Sequence, residues 1–212
     1  MPKDIRTAIE TAQPPFDAVD LILITHHDYD HFDAGVLGRA LEASPQAVVA
    51  TTEQTVGDMK RDYAGYERVK DRIKGFSPAK GERMRVTLNG IGVEVLNLPH
   101  GVAPPNVGFI IHLAGKKLLH TGDVVNPAYP VVYNLAADGI DLAFLPMYYL
   151  TEKQFLKEDG RATIVNIVGT KWVVPMHNSP EEYAVGNTYQ ELKERYPQSM
   201  LFRTRLEPQV LP

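Results

Sequence analysis

An α+β fold in one domain is predicted by three observations. Short apolar runs of strand length end in loops bearing His or Asp at four separate places along the 212 residues. Residues 82–99 carry the alternation and the Asn89-Gly90 turn of a β-hairpin. Between the strands lie apolar stripes at helical spacing, with capping residues in front of them. A chain of this length buries a sizeable core as a single domain.

The elements follow in order. Residues 3–12 suit a short helix stopped by Pro14-Pro15. Residues 19–25 read as a strand that runs into a polar loop. Asp33 then stands where a helix N-cap belongs, ahead of the stripe Val36, Leu37, Ala40 and Leu41. Residues 46–51 read as a strand, with Thr52 capping the next helix. The charged segment 53–74 is expected to form one or two surface helices, with Tyr63 and Tyr66 as half-buried packing. In the hairpin, Met84, Val86 and Leu88 precede the turn, and Ile91, Val93 and Val95 follow it. The second strand runs into Leu98-Pro99-His100. A strand over 107–113, a Gly115-Lys116 turn and a run ending in His120-Thr121-Gly122-Asp123 come next. A strand at 141–147, a helix at about 160–169, a strand running from Trp172 into His177 and a helix at 180–196 complete the chain.

Chemistry is concentrated where Leu21, Ile22, Leu23 and Ile24 give way to Thr25-His26-His27-Asp28-Tyr29-Asp30-His31-Phe32-Asp33. Imidazole and carboxylate are the ligands that suit Zn²⁺ and related divalent cations. Three carboxylates crowded into one loop also call for a nearby cation. His100, Asp123 and His177 occupy the same kind of place, just past a strand end. With no cysteine in the chain, any metal must sit on nitrogen and oxygen ligands.

The loop resembles the signature of the metallo-β-lactamase superfamily, His-x-His-x-Asp-His after a buried strand. His26, Asp30 and His31 fall on its first His, its Asp and its last His, and Asp28 stands where the second His is expected. Tyr29 and Phe32-Asp33 are most similar to the branch holding ascorbate-lactonase-like and phospholipase-D-like members. His100, Asp123 and His177 match the later motifs. The resemblance covers roughly residues 16–212 and implies an αββα sandwich with a dinuclear metal site at one edge. It implies that His26, Asp28 and His100 hold one metal, that Asp30, His31 and His177 hold the other, and that Asp123 bridges them. Zn²⁺ is the expected ion, and the charge added by Asp28 leaves room for Mn²⁺ or Fe²⁺. The implied activity is hydrolysis of a small-molecule phosphodiester, lactone or related ester by a metal-bound hydroxide, with Asp30 steering or accepting a proton. The alternative is a catalytically silent, metal-stabilised binding module or truncated scaffold of the same fold.

One departure bears on assembly. Members of the superfamily carry several strands ahead of the first metal motif, whereas only 25 residues precede His26. The expectation is therefore a domain lacking roughly its first 30–50 residues. A free sheet edge is normally covered or paired, so a homo-oligomer or a preceding segment is expected. Net charge −4 gives no electrostatic case for a nucleic-acid partner. No run is long and apolar enough for a membrane span, and no signal peptide is visible, so the expected compartment is the cytoplasm. Of the other polar residues, His27 should point away from the ligands and His120 should orient one of them. His112 should lie on a strand surface, and Tyr148 and Tyr149 should either line a substrate pocket or pack at the site's rim.

Overall fold

Leu21–Leu23 forms β1, the first of three parallel strands in a small sheet of order β1-β2-β3, with Val48–Thr52 as β2 and Ile73–Phe76 as β3. The computed structural model describes residues 1–101, 105–158, 162–177, 188–202, 204 and 206–211. The helices of this half are α1 (Lys3–Glu10), α2 (Ala34–Ala43), α3 (Glu53–Asp62) and α4 (Tyr66–Val69). Asp33 caps α2 as expected, its carboxylate accepting the Val36 N–H at 2.9 Å. Thr52 does the same for α3 through the Thr55 N–H at 3.1 Å. Losing such a cap costs about 1 kcal/mol, so Asp33→Ala should lower unfolding free energy by about that much in a urea titration.

β3 corrects the expectation that residues 53–74 are helical to their end. Its sequence, Ile73-Lys74-Gly75-Phe76, has neither an apolar run nor clean alternation. Parallel pairing with β2, Ile73 opposite Val49 and Phe76 opposite Thr52, makes it a strand. Tyr63 and Tyr66 are partly buried against the helical layer, as expected.

The second sheet has six strands in sequence order: β4 (Arg83–Leu88), β5 (Ile91–Asn97), β6 (Val107–Leu113), β7 (Lys116–His120), β8 (Leu142–Pro146) and β9 (Trp172–Met176). β4 to β7 are antiparallel, and β7 to β9 are parallel. The β4–β5 hairpin turns on Asn89 and Gly90, both left-handed (φ 48° and 78°), the pair of angles that a tight hairpin matching strand twist requires. The β6–β7 turn lies at Ala114-Gly115, one residue earlier than expected, and Lys116 already pairs with Leu113. α5 (Ala128–Val131), α6 (Met147–Thr151), α7 (Thr163–Val168) and α8 (Thr188–Arg195) complete the described helices. Residues 180–187 of the expected last helix lie outside the described residues.

Strand alternation sorts the side chains into layers. Val49 and Ile73 pack against Leu37, Leu41 and Met59 of the helices outside the small sheet. Ala50 and Phe76 face the other way, onto Val93, Val95, Val107 and Phe109 of the large sheet. The far face of the large sheet presents Leu96, Ile110, Leu119, Ala143 and Val173 to Ile164, Val168, Leu192 and Tyr196. The result is helices, sheet, sheet, helices, the expected αββα order. Tyr149 belongs to that last core layer with no exposed surface, which corrects its expected place at a pocket or rim. At the edge where β1 ends, the Val107 N–H donates to the Thr25 carbonyl at 3.0 Å, joining the two sheets beside His26. No helix among the described residues is long and apolar enough to cross a membrane.

Candidate metal centre

Four strand ends converge at this edge. β1 delivers the loop 26–31, β5 delivers His100, β7 delivers Asp123 and β9 delivers His177. Two groups of potential ligand atoms result, each with all members within 4.8 Å of one another: Asp30, His31, Asp123 and His177, and His26, His100 and Asp123. Asp123 belongs to both. One of its oxygens lies 3.0 Å from His177 Nε2 and 3.3 Å from His31 Nε2. Asp30 Oδ2 lies 3.7 Å from His31 Nε2 and 3.9 Å from His177 Nε2. Asp28 is outside both tight groups but adjoins the second, its Oδ2 3.5 Å from His26 Nε2 and 3.9 Å from His100 Nε2.

These residues fit a divalent cation. Four donors about 2.1 Å from a tetrahedral ion stand about 3.4 Å apart, in the middle of the separations above. Two atoms in the cluster are buried with no hydrogen-bond partner among the described residues: His26 Nε2 and the second oxygen of Asp123. Orphaned buried polar atoms are costly and rare, and a shared cation would satisfy these together. Four of the chain's seven histidines stand here.

The electrostatics follow from burial and from Asp123. His26 has no exposed surface, and burial, reinforced by the neighbouring His31, lowers its pKa to about 4, which keeps it neutral and ready to ligate. Its Nδ1 lies 2.9 Å from Thr25 Oγ1, a contact that fixes the ring. For His31, burial works in the lowering direction, but the hydrogen bond to Asp123 and the nearby carboxylates outweigh it and raise the pKa. Burial would raise the Asp123 pKa, and the hydrogen bond from His31 with the surrounding imidazoles overcomes it, so the carboxyl stays below its usual range.

Neighbouring polar groups hold the loops that carry these donors. His120 Nδ1 accepts the Gly122 N–H at 3.1 Å, so the ring secures the turn that presents Asp123. Burial lowers the His120 pKa to about 4 and keeps that acceptor free of a proton. Asn106, almost fully buried, donates from Nδ2 to the Leu98 carbonyl (2.5 Å) and the Thr121 carbonyl (3.1 Å), and its Oδ1 accepts the Asp123 N–H (3.3 Å). It therefore ties the His100 loop to the Asp123 turn, a role with no signal in the sequence. Tyr148 sits at the rim, its ring centroid 6.3 Å from that of His177, and its hydroxyl donates to the Val124 carbonyl at 2.7 Å. His177 itself is left-handed (φ 67°), a conformation uncommon for residues other than glycine. His27 turns away from the cluster to Asp58, as expected. His112 is on the strand surface, 3.0 Å from Glu94.

Comparison with known proteins agrees with this architecture. A curated metal-dependent hydrolase of Symbiobacterium thermophilum is 25% identical over 173 residues, which take in 74% of this chain and 64% of that protein. The chain thus spans less than two thirds of that relative's length. Among solved structures, zinc-bound PqqB from Methylobacterium extorquens superposes with a TM-score of 0.59 at 14% identity, over 94% of this chain and 78% of that one. The metallo-β-lactamase fold protein YhfI from Bacillus subtilis gives 0.56 at 13% identity, over 86% and 74%. Likeness at such identities concerns the fold alone. The family model described as the beta-lactamase superfamily domain matches residues 4–185, and the chain belongs to that family.

Proposed function

We propose that this chain is a metal-dependent hydrolase that holds two divalent cations and cleaves a phosphodiester, a lactone or a related ester of a small molecule. His26, Asp28 and His100 hold one cation, Asp30, His31 and His177 hold the other, and Asp123 is shared. The observation that carries this is Asp123, a buried carboxylate common to both donor groups, with one oxygen against two imidazoles and the other unpartnered among the described residues. The Symbiobacterium relative, named a metal-dependent hydrolase, supports the same class. Zinc is the first candidate, since the donors are imidazole and carboxylate and the PqqB neighbour carries it; Mn²⁺ and Fe²⁺ are the alternatives.

Cations so held supply a Lewis acid for a carbonyl or phosphoryl oxygen and acidify a water near neutrality. The protein's residues do the rest. Asp30, its side chain 46% exposed at the mouth of the cluster, would give one oxygen to the cation and use the other to steer the attacking water and accept its proton. Tyr148, its hydroxyl committed to the Val124 carbonyl, contributes its ring to the rim beside His177 and no proton. The acidic net charge favours a small substrate over nucleic acid.

The test is elemental analysis of protein purified without chelator, followed by a hydrolysis screen on bis(p-nitrophenyl) phosphate and a panel of lactones. About two equivalents of metal, with turnover abolished by chelator and restored by Zn²⁺ or Mn²⁺, is the expected result. Absence of metal after reconstitution would overturn it. Bound metal without turnover on any ester would favour the binding-module alternative, in line with Asp28 lying outside both tight donor groups.

A further inference from the structure

Asp28, the residue that departs from the superfamily's loop pattern, stands between two unlike neighbours. Its Oδ2 faces His26 and His100, while its Oδ1 lies 3.7 Å from Nε2 of His27. His27 is held in turn. Its Nδ1 is 2.6 Å from Asp58 Oδ2, and the other oxygen of Asp58 takes Arg61 Nη1 at 2.6 Å. Gln54 Nε2 lies 3.3 Å from His27 Nε2. Asp58 is only 8% exposed, although it sits on α3 among charged residues, and α3 is anchored by the buried Thr52–Thr55 cap. A buried carboxylate is costly unless it is paired. Here the pairing reaches across to the ligand loop from a helix that contributes no ligand.

We infer that His27, fixed by Asp58, is a positioning residue that walls Asp28 into the orientation it needs to serve the cation held by His26 and His100. The inference rests on the metal centre proposed above. An aspartate is shorter than the histidine the pattern expects, and this one is 36% exposed, so water competes for its oxygens and its rotamer is not set by burial. The His27 ring closes the outer side of Asp28 and leaves Oδ2 turned inward. A histidine at position 28 would reach the cation by its own length and would need no wall. The plainer role, in which the His27–Asp58 pair only ties α3 to the loop, predicts a loss of stability shared by both halves of the centre.

Cobalt titration of the metal-free full chain, followed by visible absorption, separates the two roles. His27→Ala and Asp58→Ala should each weaken one of two binding steps by about tenfold and leave the other unchanged, on the scale known for groups that orient a ligand. Asp58→Asn, which keeps an oxygen for the His27 Nδ1–H, should retain most of the affinity and guards against a variant that fails to fold. In an Asp28→His background, His27→Ala should move neither step by more than about twofold, because the wall has lost its object. Equal weakening of both steps, no weakening at all, or the same loss in the Asp28→His background would overturn the inference while leaving the metal centre standing. A wild-type chain that binds no cobalt would overturn both.

Discussion

Asp123→Ala is expected to lower bound metal from about two equivalents to one or fewer, because this carboxylate is the donor shared by both groups. Hydrolysis should fall by about 10²–10³-fold or more, since loss of even one neutral preorganised donor costs a reaction that much. In the metal-free protein the same change leaves His31 and His177 without the acceptor that lies 3.3 Å and 3.0 Å from them. Asp123→Asn separates charge from shape. It keeps the side-chain volume and an acceptor oxygen but not the negative charge, so it should fold like the wild type and still lose metal. Elemental analysis alongside a thermal melt reads both effects. Full metal content in Asp123→Asn would show that the shared position is not a ligand.

Gly122→Ala should cost at least about 2–5 kcal/mol, the strain of the turn plus the loss of one Asn106 bond. Gly122 is left-handed (φ 55°), which an L-residue adopts at about 1–2 kcal/mol. An added Cβ would also stand 2.1 Å from Asn106 Oδ1, the oxygen that accepts the Asp123 N–H. Asn106 cannot yield without breaking its bonds to the Leu98 and Thr121 carbonyls, each such buried loss being worth about 1–3 kcal/mol. The turn that presents Asp123 would then shift, so metal content should fall together with stability. A urea midpoint and metal content both matching the wild type would mean that the turn relaxes freely and that Asn106 is not the tie it forms in the structure.

Much of the donor cluster was legible because side chains of this kind obey a local rule. A strand that stops in a His or Asp delivers it at an edge, and the apolar-to-polar switches before His26, His100, Asp123 and His177 mark where each strand stops. The cap at Asp33 and the Asn89-Gly90 turn were legible for the same reason, since each is decided by contacts within a few residues. β3 was not, because Lys74 and Gly75 carry no strand signal and only the β2 backbone recruits them. Nor was the full burial of Tyr149, which follows one residue after a tyrosine that does reach the rim. Asn106 and Asp58 carry no sequence signal of their roles. One is a single polar residue ahead of a strand, the other one charge among many on a helix, and their partners lie far off in the chain.

By itself, then, the sequence determined the α+β class, the order of most elements and the residue types gathered at the strand ends. Period-two alternation, capping and turn chemistry are short-range and survive in one dimension. Only the tertiary structure decided which donors share a volume, that Asp123 stands in both groups, that Asp28 lies at the border of one, and that His27 faces Asp58. Those outcomes depend on distances between segments brought together by the packing of two sheets, and no local pattern encodes such distances.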